Sequence, residues 1–269
     1  MTTPTSTSTC AARTIELGDG LTITYQEHGN AAAAGGGVLL LHGGAGTRSV
    51  AGFAAPLSEH AYVITPTHPG FDGQPRPEWF GSIADLATAY LDLLDVLGLR
   101  EVMVIGSSIG GWIASEMALR DNHQRIGPLV LLNAVGPQPA NPADIVDVSV
   151  LSPAEISRLS ICNPALRPDP AQLTDQQRAG MAANQRTLAV YAGTYMYDPE
   201  LGRRLHRVTQ PVLVAWGEAD GVVAAEYGRA YAAAFPEGRF QLIPEAGHLP
   251  QLEQPARTLE AIRQFVSGD

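Results

Sequence analysis

A serine between glycines is the first feature of this sequence that could do chemistry. Ser108 stands at the centre of Gly106-Ser107-Ser108-Ile109-Gly110, which follows the apolar run Val102–Ile105 and precedes a segment of helical periodicity. A sharp turn between a strand and a helix lifts the hydroxyl of such a serine above the sheet edge, where it can attack a carbonyl carbon. We therefore predict Ser108 as the nucleophile, since Ser107 would point elsewhere on the turn.

A serine hydroxyl is a weak nucleophile until a base removes its proton, and a histidine oriented by a carboxylate is the usual base. Asp220 and His248 each lie just beyond an apolar run, in the segments GEADG and GHLP. The carboxyl ends of parallel strands share one edge of a sheet, so both side chains can approach Ser108 there. Glu218, two residues before Asp220, is the alternative carboxylate.

Attack on a carbonyl also places negative charge on its oxygen, which backbone N–H groups can stabilise. The N–H of Ile109, directly after the nucleophile, is one expected donor. The second donor is expected from the glycine-rich segment HGGAG at 42–46, which follows another apolar run. We assign this donor to Gly44, with Ala45 as the alternative.

The elements that must position these residues follow from the hydrophobic pattern. An alternating pattern at 14–17 and 21–27 around Gly18-Asp19-Gly20 predicts an antiparallel hairpin. Short continuous apolar runs are typical of strands buried on both faces of a parallel sheet, and they lie at 38–41, 62–64, 102–105, 129–132, 212–216 and 240–243. Helical periodicity lies at 82–97, 109–119, 223–234 and 256–265. This alternation predicts an α/β fold, with a mostly parallel central sheet and helices on both faces.

A long interval between Leu132 and Val212 breaks the alternation. An interval of this length needs structure of its own, and it contains several prolines and helix-like pieces at 153–159 and 174–191. We expect an inserted helical cap at 137–208 on a core formed by 13–136 and 209–269, with 1–12 as a flexible tail. In this cap Tyr191, Tyr195, Met196 and Tyr197 are candidates for lining an apolar pocket, and Arg167, Arg178 and Arg186 for holding a substrate carboxylate.

Composition excludes several classes of function. The 27 acidic residues against 17 basic ones give a formal net charge of -10, which argues against nucleic acid or an anionic membrane as partner. All 17 basic residues are arginine, so neither a Schiff-base lysine nor a P-loop lysine is present. Cys10 and Cys162 lack metal-ligand spacing and the remaining histidines are scattered, so no metal or other cofactor is expected. Without a leader pattern or an apolar run of ~18 residues, a cytoplasmic location is expected.

Taken together, the motifs resemble those of the α/β-hydrolase superfamily, in a capped, serine esterase-like form. They are HGGAG at 42–46, THPGFDG at 67–73, GSSIGG at 106–111, GEADG at 217–221 and GHLPQLEQP at 247–255. The resemblance implies Ser108 as nucleophile, His248 as general base and acid, and Asp220 as the residue that orients the histidine. It further implies Gly44 and Ile109 as the oxyanion hole, and structural roles for His42 and His68.

The resemblance implies a cofactor-independent hydrolase that cleaves a small to medium, largely apolar carboxylic ester through an acyl-enzyme. Alternatives with the same triad are carbon–carbon bond hydrolysis of dienoic diketones, lactone or thioester cleavage, cofactor-free haloperoxidase activity, and a catalytically silent ligand-binding protein. The HGGAG segment resembles the carbon–carbon hydrolases, but those enzymes typically carry Trp where this sequence has Leu249. Epoxide hydrolases and haloalkane dehalogenases need an Asp nucleophile, so Ser108 argues against them. A small-molecule ester is the expected partner. The sequence does not decide whether the protein forms a homo-oligomer.

Overall fold

The computed structural model describes residues 12–30, 37–193 and 195–268, so the expected tail lies almost wholly outside the described residues. The strands are β1 (Arg13–Gly18), β2 (Leu21–His28), β3 (Gly37–Leu41), β4 (Tyr62–Thr67), β5 (Val102–Ser107), β6 (Ile126–Leu132), β7 (Gly136–Pro137), β8 (Tyr197–Asp198), β9 (Val212–Gly217) and β10 (Gly238–Ile243). The helices are α1 (Ala51–Leu57), α2 (Ile83–Val96), α3 (Ile109–Arg120), α4 (Pro153–Ser160), α5 (Asp175–Ala192), α6 (Leu201–Arg204), α7 (Ala225–Ala233), α8 (Pro250–Glu253) and α9 (Pro255–Ser267). Short 3-10 turns occupy Thr47–Ser49, Pro142–Asp144, Val148–Val150, Pro164–Leu166 and Leu205–Arg207.

Eight of these strands form one sheet in the order β1-β2-β4-β3-β5-β6-β9-β10. The hairpin of β1 and β2 is antiparallel, as predicted, and β2 is also antiparallel to β4. Every later pair of neighbours is parallel. The predicted α/β fold with a mostly parallel sheet is therefore confirmed, and the carboxyl ends of β3, β5, β6, β9 and β10 share one edge.

The two faces of the sheet bury separate apolar clusters, because side chains alternate along each strand. On β3, Leu39 and Leu41 join the cluster that includes residues of α2, α3 and α7. Val38 and Leu40 join the opposite cluster, which includes residues of α1 and α9. Apolar runs without alternation thus correspond to strands that are buried on both faces.

Helix α2 shows how local sequence sets an element boundary. The Ser82 hydroxyl accepts a hydrogen bond from the Asp85 N–H at 3.1 Å, and the Asp85 carboxylate accepts one from the Ser82 N–H at 2.9 Å. This reciprocal pair satisfies two N–H groups that the first helical turn leaves without acceptors. Gly98, with φ of 67°, follows the helix in the left-handed region that favours glycine.

Residues 137–208, called the 137–208 segment below, lie between β6 and β9 and contain α4, α5 and α6. Its buried apolar side chains do not form a separate core. Most of them join the cluster of α2 and α3, and these are Tyr191, Ala192, Met196, Leu201, Leu205 and Val208. Within the described ranges, no helix combines the length and apolar character needed to cross a membrane.

Candidate active site

Ser108 occupies a strained turn between β5 and α3. Its φ of 56° and ψ of −119° lie outside the regions that a serine ordinarily adopts, and only 5% of the residue is exposed. Such a conformation costs about 1–3 kcal/mol and persists only where surrounding contacts hold it. The Ser108 N–H donates to the Leu132 carbonyl at 2.9 Å, and the Ser108 carbonyl accepts from the Val135 N–H at 3.3 Å. The turn is thus fixed to the end of β6.

Two glycines make this turn possible. A Cβ on Gly106 would overlap the carbonyl group of Gly110, and a Cβ on Gly110 would lie 2.6 Å from the Leu41 carbonyl oxygen. Backbone atoms at such distances cannot move aside without displacing β3 or α3. The G-x-S-x-G pattern is therefore a steric requirement of the turn as well as a sequence signature.

The predicted acid and base are in direct contact. His248 Nδ1 lies 2.8 Å from Asp220 Oδ2, and the side chain of Asp220 is 1% exposed. Asp220 Oδ1 accepts from the N–H groups of Val222 and Val223 at 2.8 and 3.1 Å. A carboxylate that accepts all these bonds places the histidine proton on Nδ1 and leaves Nε2 as a proton acceptor. Glu218, the alternative carboxylate, is exposed.

Asn133 is a site residue that the sequence interpretation missed. Its Nδ2 donates to Asp220 Oδ2 at 2.7 Å, and its Oδ1 accepts from the Gly217 N–H at 3.0 Å. The residue is fully buried and lies directly after β6. A polar amide following a buried strand at the same sheet edge was the signal that could have identified it.

Ser108 and His248 line one cavity of about 300 Å³, whose walls come from the core loops and from the 137–208 segment. Most lining side chains are apolar: Val148, Pro153, Ile156, Ile161, Leu166, Pro168, Met181, Leu188, Met196, Val222, Leu249 and Leu252. Within the part of the chain that the structure describes, Arg48 is the only Arg, Asp or Glu that lines it. A concave, apolar cavity with few convergent polar groups is typical of a small-molecule site.

Of the four residues of the 137–208 segment that were predicted to line an apolar pocket, only Met196 is among the described residues that line the cavity. Tyr191 is instead buried against Phe71 and Phe80, and Tyr195 is 71% exposed. The three arginines weighed as carboxylate ligands, Arg167, Arg178 and Arg186, are not among the lining residues. Across residues 12–30, 37–193 and 195–268, no group of three or more His, Cys, Asp or Glu side chains is placed to hold a metal ion.

Of the expected oxyanion donors, Gly44 lines the same cavity, and Ile109 directly follows the cavity-lining Ser108. Ile109 is the first residue of α3, so its N–H has no acceptor within the helix and lies at the positive end of the helix dipole. Gly44 and Ala45 both line the cavity, in a turn that the Gly46 N–H closes by donating to the Gly43 carbonyl at 3.1 Å.

The rings of His42 and His68 stack next to this turn, with ring centroids 3.7 Å apart. His42 Nδ1 donates to the Gly43 carbonyl at 2.8 Å, and its Nε2 accepts from the His68 N–H at 3.0 Å. His68 Nε2 donates to the His42 carbonyl at 2.9 Å, and its Nδ1 accepts from the Tyr90 hydroxyl. Every ring nitrogen is therefore used in the neutral form, and these contacts agree with the structural roles expected for both residues.

Burial lowers the pKa of His42 to about 4, and burial together with the neighbouring His42 lowers that of His68 well below its ordinary value. The unfolded chain binds protons at these positions below pH ~6.5, where the folded chain does not. The contribution of the two histidines to the free energy of unfolding is thus fully present above pH ~6.5. This contribution is lost progressively as the pH falls towards 4.

We expect the free energy of unfolding in urea to fall by about 1 kcal/mol per pH unit for each of His42 and His68 between pH 6 and pH 5. His42→Asn should reduce this slope, if the variant folds. A wild-type stability that stays constant from pH 7 to pH 5 would contradict the assignment of neutral histidines.

Helix α4 is hydrogen-bonded to the loops that carry Asp220 and His248. Its carbonyl groups at Ser160 and Leu159 accept from the N–H groups of His248 at 2.7 Å and Gly221 at 3.0 Å. The Glu253 carboxylate also links the His248 loop to the 137–208 segment. Its Oε1 accepts from the Gly247 N–H at 2.7 Å, and its Oε2 accepts from the Asn163 N–H at 2.8 Å. The 137–208 segment is thus part of the framework around His248 and Asp220.

Comparison with known proteins extends over nearly the whole chain. A model of the Alpha/beta hydrolase family matches residues 38–261. A 2-hydroxy-6-oxononadienedioate/2-hydroxy-6-oxononatrienedioate hydrolase from Cupriavidus pinatubonensis is 29% identical, over 96% of this chain and 96% of the relative. The structure of a thermophilic esterase from Thermogutta terrifontis matches with a TM-score of 0.75 at 25% identity, covering 96% of this chain and 98% of that one.

A meta-cleavage product hydrolase from Pseudomonas fluorescens matches with a TM-score of 0.75 at 20% identity, covering 95% of this chain and 97% of that one, and shows the likeness of fold alone. The family match includes the turn at Ser108, the Asp220 loop and His248. The resemblance inferred from the motifs is thereby confirmed: this chain belongs to the alpha/beta hydrolase family.

Proposed function

We propose that this chain is a serine hydrolase that cleaves a small to medium, largely apolar carboxylic ester through an acyl-enzyme. The observation that carries the proposal is the hydrogen-bonded pair of Asp220 and His248 beside the strained Ser108 turn, with Ser108 and His248 lining the same apolar cavity. A solvated serine in an ordinary loop does not adopt such a strained conformation, because the strain must be offset by surrounding contacts.

In the acylation half, Ser108 Oγ attacks the ester carbonyl carbon while His248 Nε2 accepts the hydroxyl proton. Asp220 stabilises the resulting imidazolium through the bond to Nδ1. The carbonyl oxygen, now negative, accepts hydrogen bonds from the N–H groups of Gly44 and Ile109. When the tetrahedral intermediate collapses, the carbon–oxygen bond to the alcohol breaks and His248 donates the proton to the leaving oxygen.

In the second half a water molecule replaces the alcohol. His248 Nε2 accepts a proton from this water, whose oxygen attacks the acyl carbon, and collapse releases the carboxylic acid and regenerates the Ser108 hydroxyl. The 137–208 segment serves as a cap that surrounds the acyl-enzyme and selects substrates by size. Its apolar side chains, including Ile156, Met181 and Leu188, favour an uncharged chain, because burying an unpaired charge among them would be costly.

Carbon–carbon bond hydrolysis of a dienoic diketone is the second candidate, and the Cupriavidus relative supports it. The substrate in that relative's name is a dicarboxylate. Arg48 is the only arginine among the described residues that line the cavity, and it is an exposed residue. A cavity with so few cationic partners favours an uncharged ester over a dienoate with two carboxylates.

The proposal is tested first without knowledge of the substrate. Purified protein is treated with a fluorophosphonate, and intact-mass analysis followed by peptide mapping locates the adduct. One adduct per chain on the peptide that contains Ser108 is the expected result, because only an activated serine reacts rapidly. A well-folded protein that forms no adduct would contradict the proposal.

The second step identifies the bond that is cleaved. We expect multiple turnovers on p-nitrophenyl esters of short and medium chains and slower reaction of long ones, since the cavity is about 300 Å³. Equal rates for short and long chains would contradict a selective cap. Faster cleavage of a 2-hydroxy-6-oxo-dienoate would replace the ester proposal by the second candidate, and adduct formation without turnover of either class would indicate a ligand-binding protein.

A further inference from the structure

A chain of hydrogen bonds joins helix α5 to the turn that carries the expected oxyanion donor. The Asn184 side chain on α5 donates to Asp72 Oδ1 at 2.8 Å and accepts from the Asp72 N–H at 2.9 Å. Asp72 Oδ2 in turn accepts from the Thr47 N–H and the Thr47 hydroxyl, both at 2.8 Å. Thr47 directly follows the HGGAG turn, so one carboxylate bridges the 137–208 segment and this turn.

The same helix also contacts the turn directly. Leu188, one helical turn after Asn184, lies so close to Gly44 that a Cβ on this glycine would be 2.8 Å from Leu188 Cδ2. Gly46 has φ of 78°, and a Cβ on it would meet the Asp72 carboxylate and lie 2.8 Å from Asn184 Nδ2. The backbone from Gly44 to Gly46 is therefore enclosed by α5 and Asp72, and its position depends on theirs.

The Asp72 carboxylate suits this bridging role. Burial opposes its ionisation, but the hydrogen bonds from Asn184 and Thr47 outweigh burial, so its pKa lies below the ordinary value. Asn184 is 5% exposed, which leaves its amide little freedom to turn away. An ionised acceptor also forms shorter and stronger hydrogen bonds than a neutral one.

We propose that Asp72 and Asn184 are positioning residues through which helix α5 sets the geometry of the oxyanion hole. The inference rests on the proposed function, because it assigns a catalytic purpose to the position of the Gly44 N–H. It adds that the 137–208 segment takes part in transition-state stabilisation as well as in substrate selection. If the bridge is broken, the cavity persists but the Gly44 N–H is no longer held towards the developing oxyanion.

Exchanging the two side chains tests the bridge. In Asp72→Asn the single carbonyl oxygen cannot accept from both Thr47 and Asn184, so an amide nitrogen must face a donor. In Asn184→Asp a second carboxylate faces Asp72 Oδ1. The double variant D72N/N184D restores complementary partners, because the amide at 72 donates to the carboxylate at 184 and its oxygen still accepts from Thr47. Such a double-mutant cycle isolates the coupling between the two positions.

The readout compares two inhibitors of the same shape. An aryl alkyl trifluoromethyl ketone adds to Ser108 and places an oxyanion in the hole, whereas the matched methyl ketone binds the cavity without forming that charge. We expect each single variant to weaken trifluoromethyl ketone binding and to lower kcat for an ester about 10- to 100-fold. Methyl ketone affinity and KM should change little in Asp72→Asn, whereas Asn184 itself lines the cavity, so for Asn184→Asp the readout is the ratio of the two ketone affinities. The double variant should recover at least about tenfold of the loss in trifluoromethyl ketone binding and kcat.

Thr187→Val is the matched control. Thr187 also lies on α5, but its hydroxyl donates to the Gly70 carbonyl at 2.9 Å, and it is not among the described residues that line the cavity. This variant should retain wild-type values for both ketones. Single variants that bind the trifluoromethyl ketone as wild type does, or a double variant no better than the singles, would overturn the inference. A wild-type protein that neither hydrolyses esters nor binds the trifluoromethyl ketone would instead contradict the proposed function.

Discussion

Replacing Ser108 by alanine is expected to lower kcat/KM for an apolar ester by about 10³- to 10⁶-fold and to abolish the fluorophosphonate adduct. The substitution removes the only atom that can form the acyl-enzyme, while the Gly44 and Ile109 N–H groups and the cavity are retained. Any remaining reaction must then use water directly. The measurement is the initial rate at low ester concentration, together with intact mass after fluorophosphonate treatment.

Ser107→Ala provides the matched control for this experiment. Ser107 is the adjacent serine, but its hydroxyl is buried and accepts a hydrogen bond from Gln251 Nε2 at 3.1 Å. We expect this variant to form the adduct at close to the wild-type rate. Full esterase activity in Ser108→Ala would contradict the assignment of the nucleophile, and a loss of adduct confined to Ser107→Ala would transfer that role to the neighbouring serine.

Asp220→Asn is expected to lower kcat by about 10³- to 10⁴-fold with little change in KM. Oδ1 of Asp220 accepts from two N–H groups, so the new amide nitrogen is excluded from that position. At the Oδ2 position it faces both Asn133 Nδ2 and His248 Nδ1. An amide donor there forces the histidine proton from Nδ1 to Nε2, and Nε2 then cannot accept the proton of Ser108.

The expected signature of Asp220→Asn is a slow reaction with both an ester and the fluorophosphonate, on a protein with near-wild-type affinity for the matched methyl ketone. Glu218→Gln serves as the control, since this residue is an exposed carboxylate in the same loop. Its kcat should equal that of the wild type. If instead Glu218→Gln were inactive and Asp220→Asn active, the acid would be misassigned.

The strands and long helices of the core could be predicted because each carries an unambiguous local pattern. The continuous run at 212–216 corresponds to β9, which is buried along its whole length, and the periodic segment at 82–97 corresponds to α2. Helix α1 was not predicted, since its seven residues include Gly52 and Pro56 and are too short to show a periodic face. Its place is set by packing against the sheet through Phe53 and Leu57.

The candidate catalytic residues could be found because each follows a strand at a shared sheet edge. The order of the strands brings Ser108 and His248 to one cavity, although 140 positions in the numbering separate them. Asn133 and Asp72 were not identified. Asn133 follows a strand at the shared edge, but an amide is not itself a catalytic acid or base, whereas the role of Asp72 depends on a partner far along the chain that no local pattern specifies. Asp72 acquires its role only when α5 brings Asn184 beside it, 112 positions later.

The bonds between α4 and the loops of His248 and Asp220 also bear on how this protein could evolve. The acceptors are main-chain carbonyl groups of Leu159 and Ser160, which are present whatever side chains these positions carry. Ile156 and Ser157, on the same helix, line the cavity with their side chains. Mutations there can alter the range of accepted substrates while the acid and base stay in place. Under the proposed function, one helix thus separates side chains that select the substrate from main-chain groups that support the acid and base, so new specificities can arise by single, tolerated mutations.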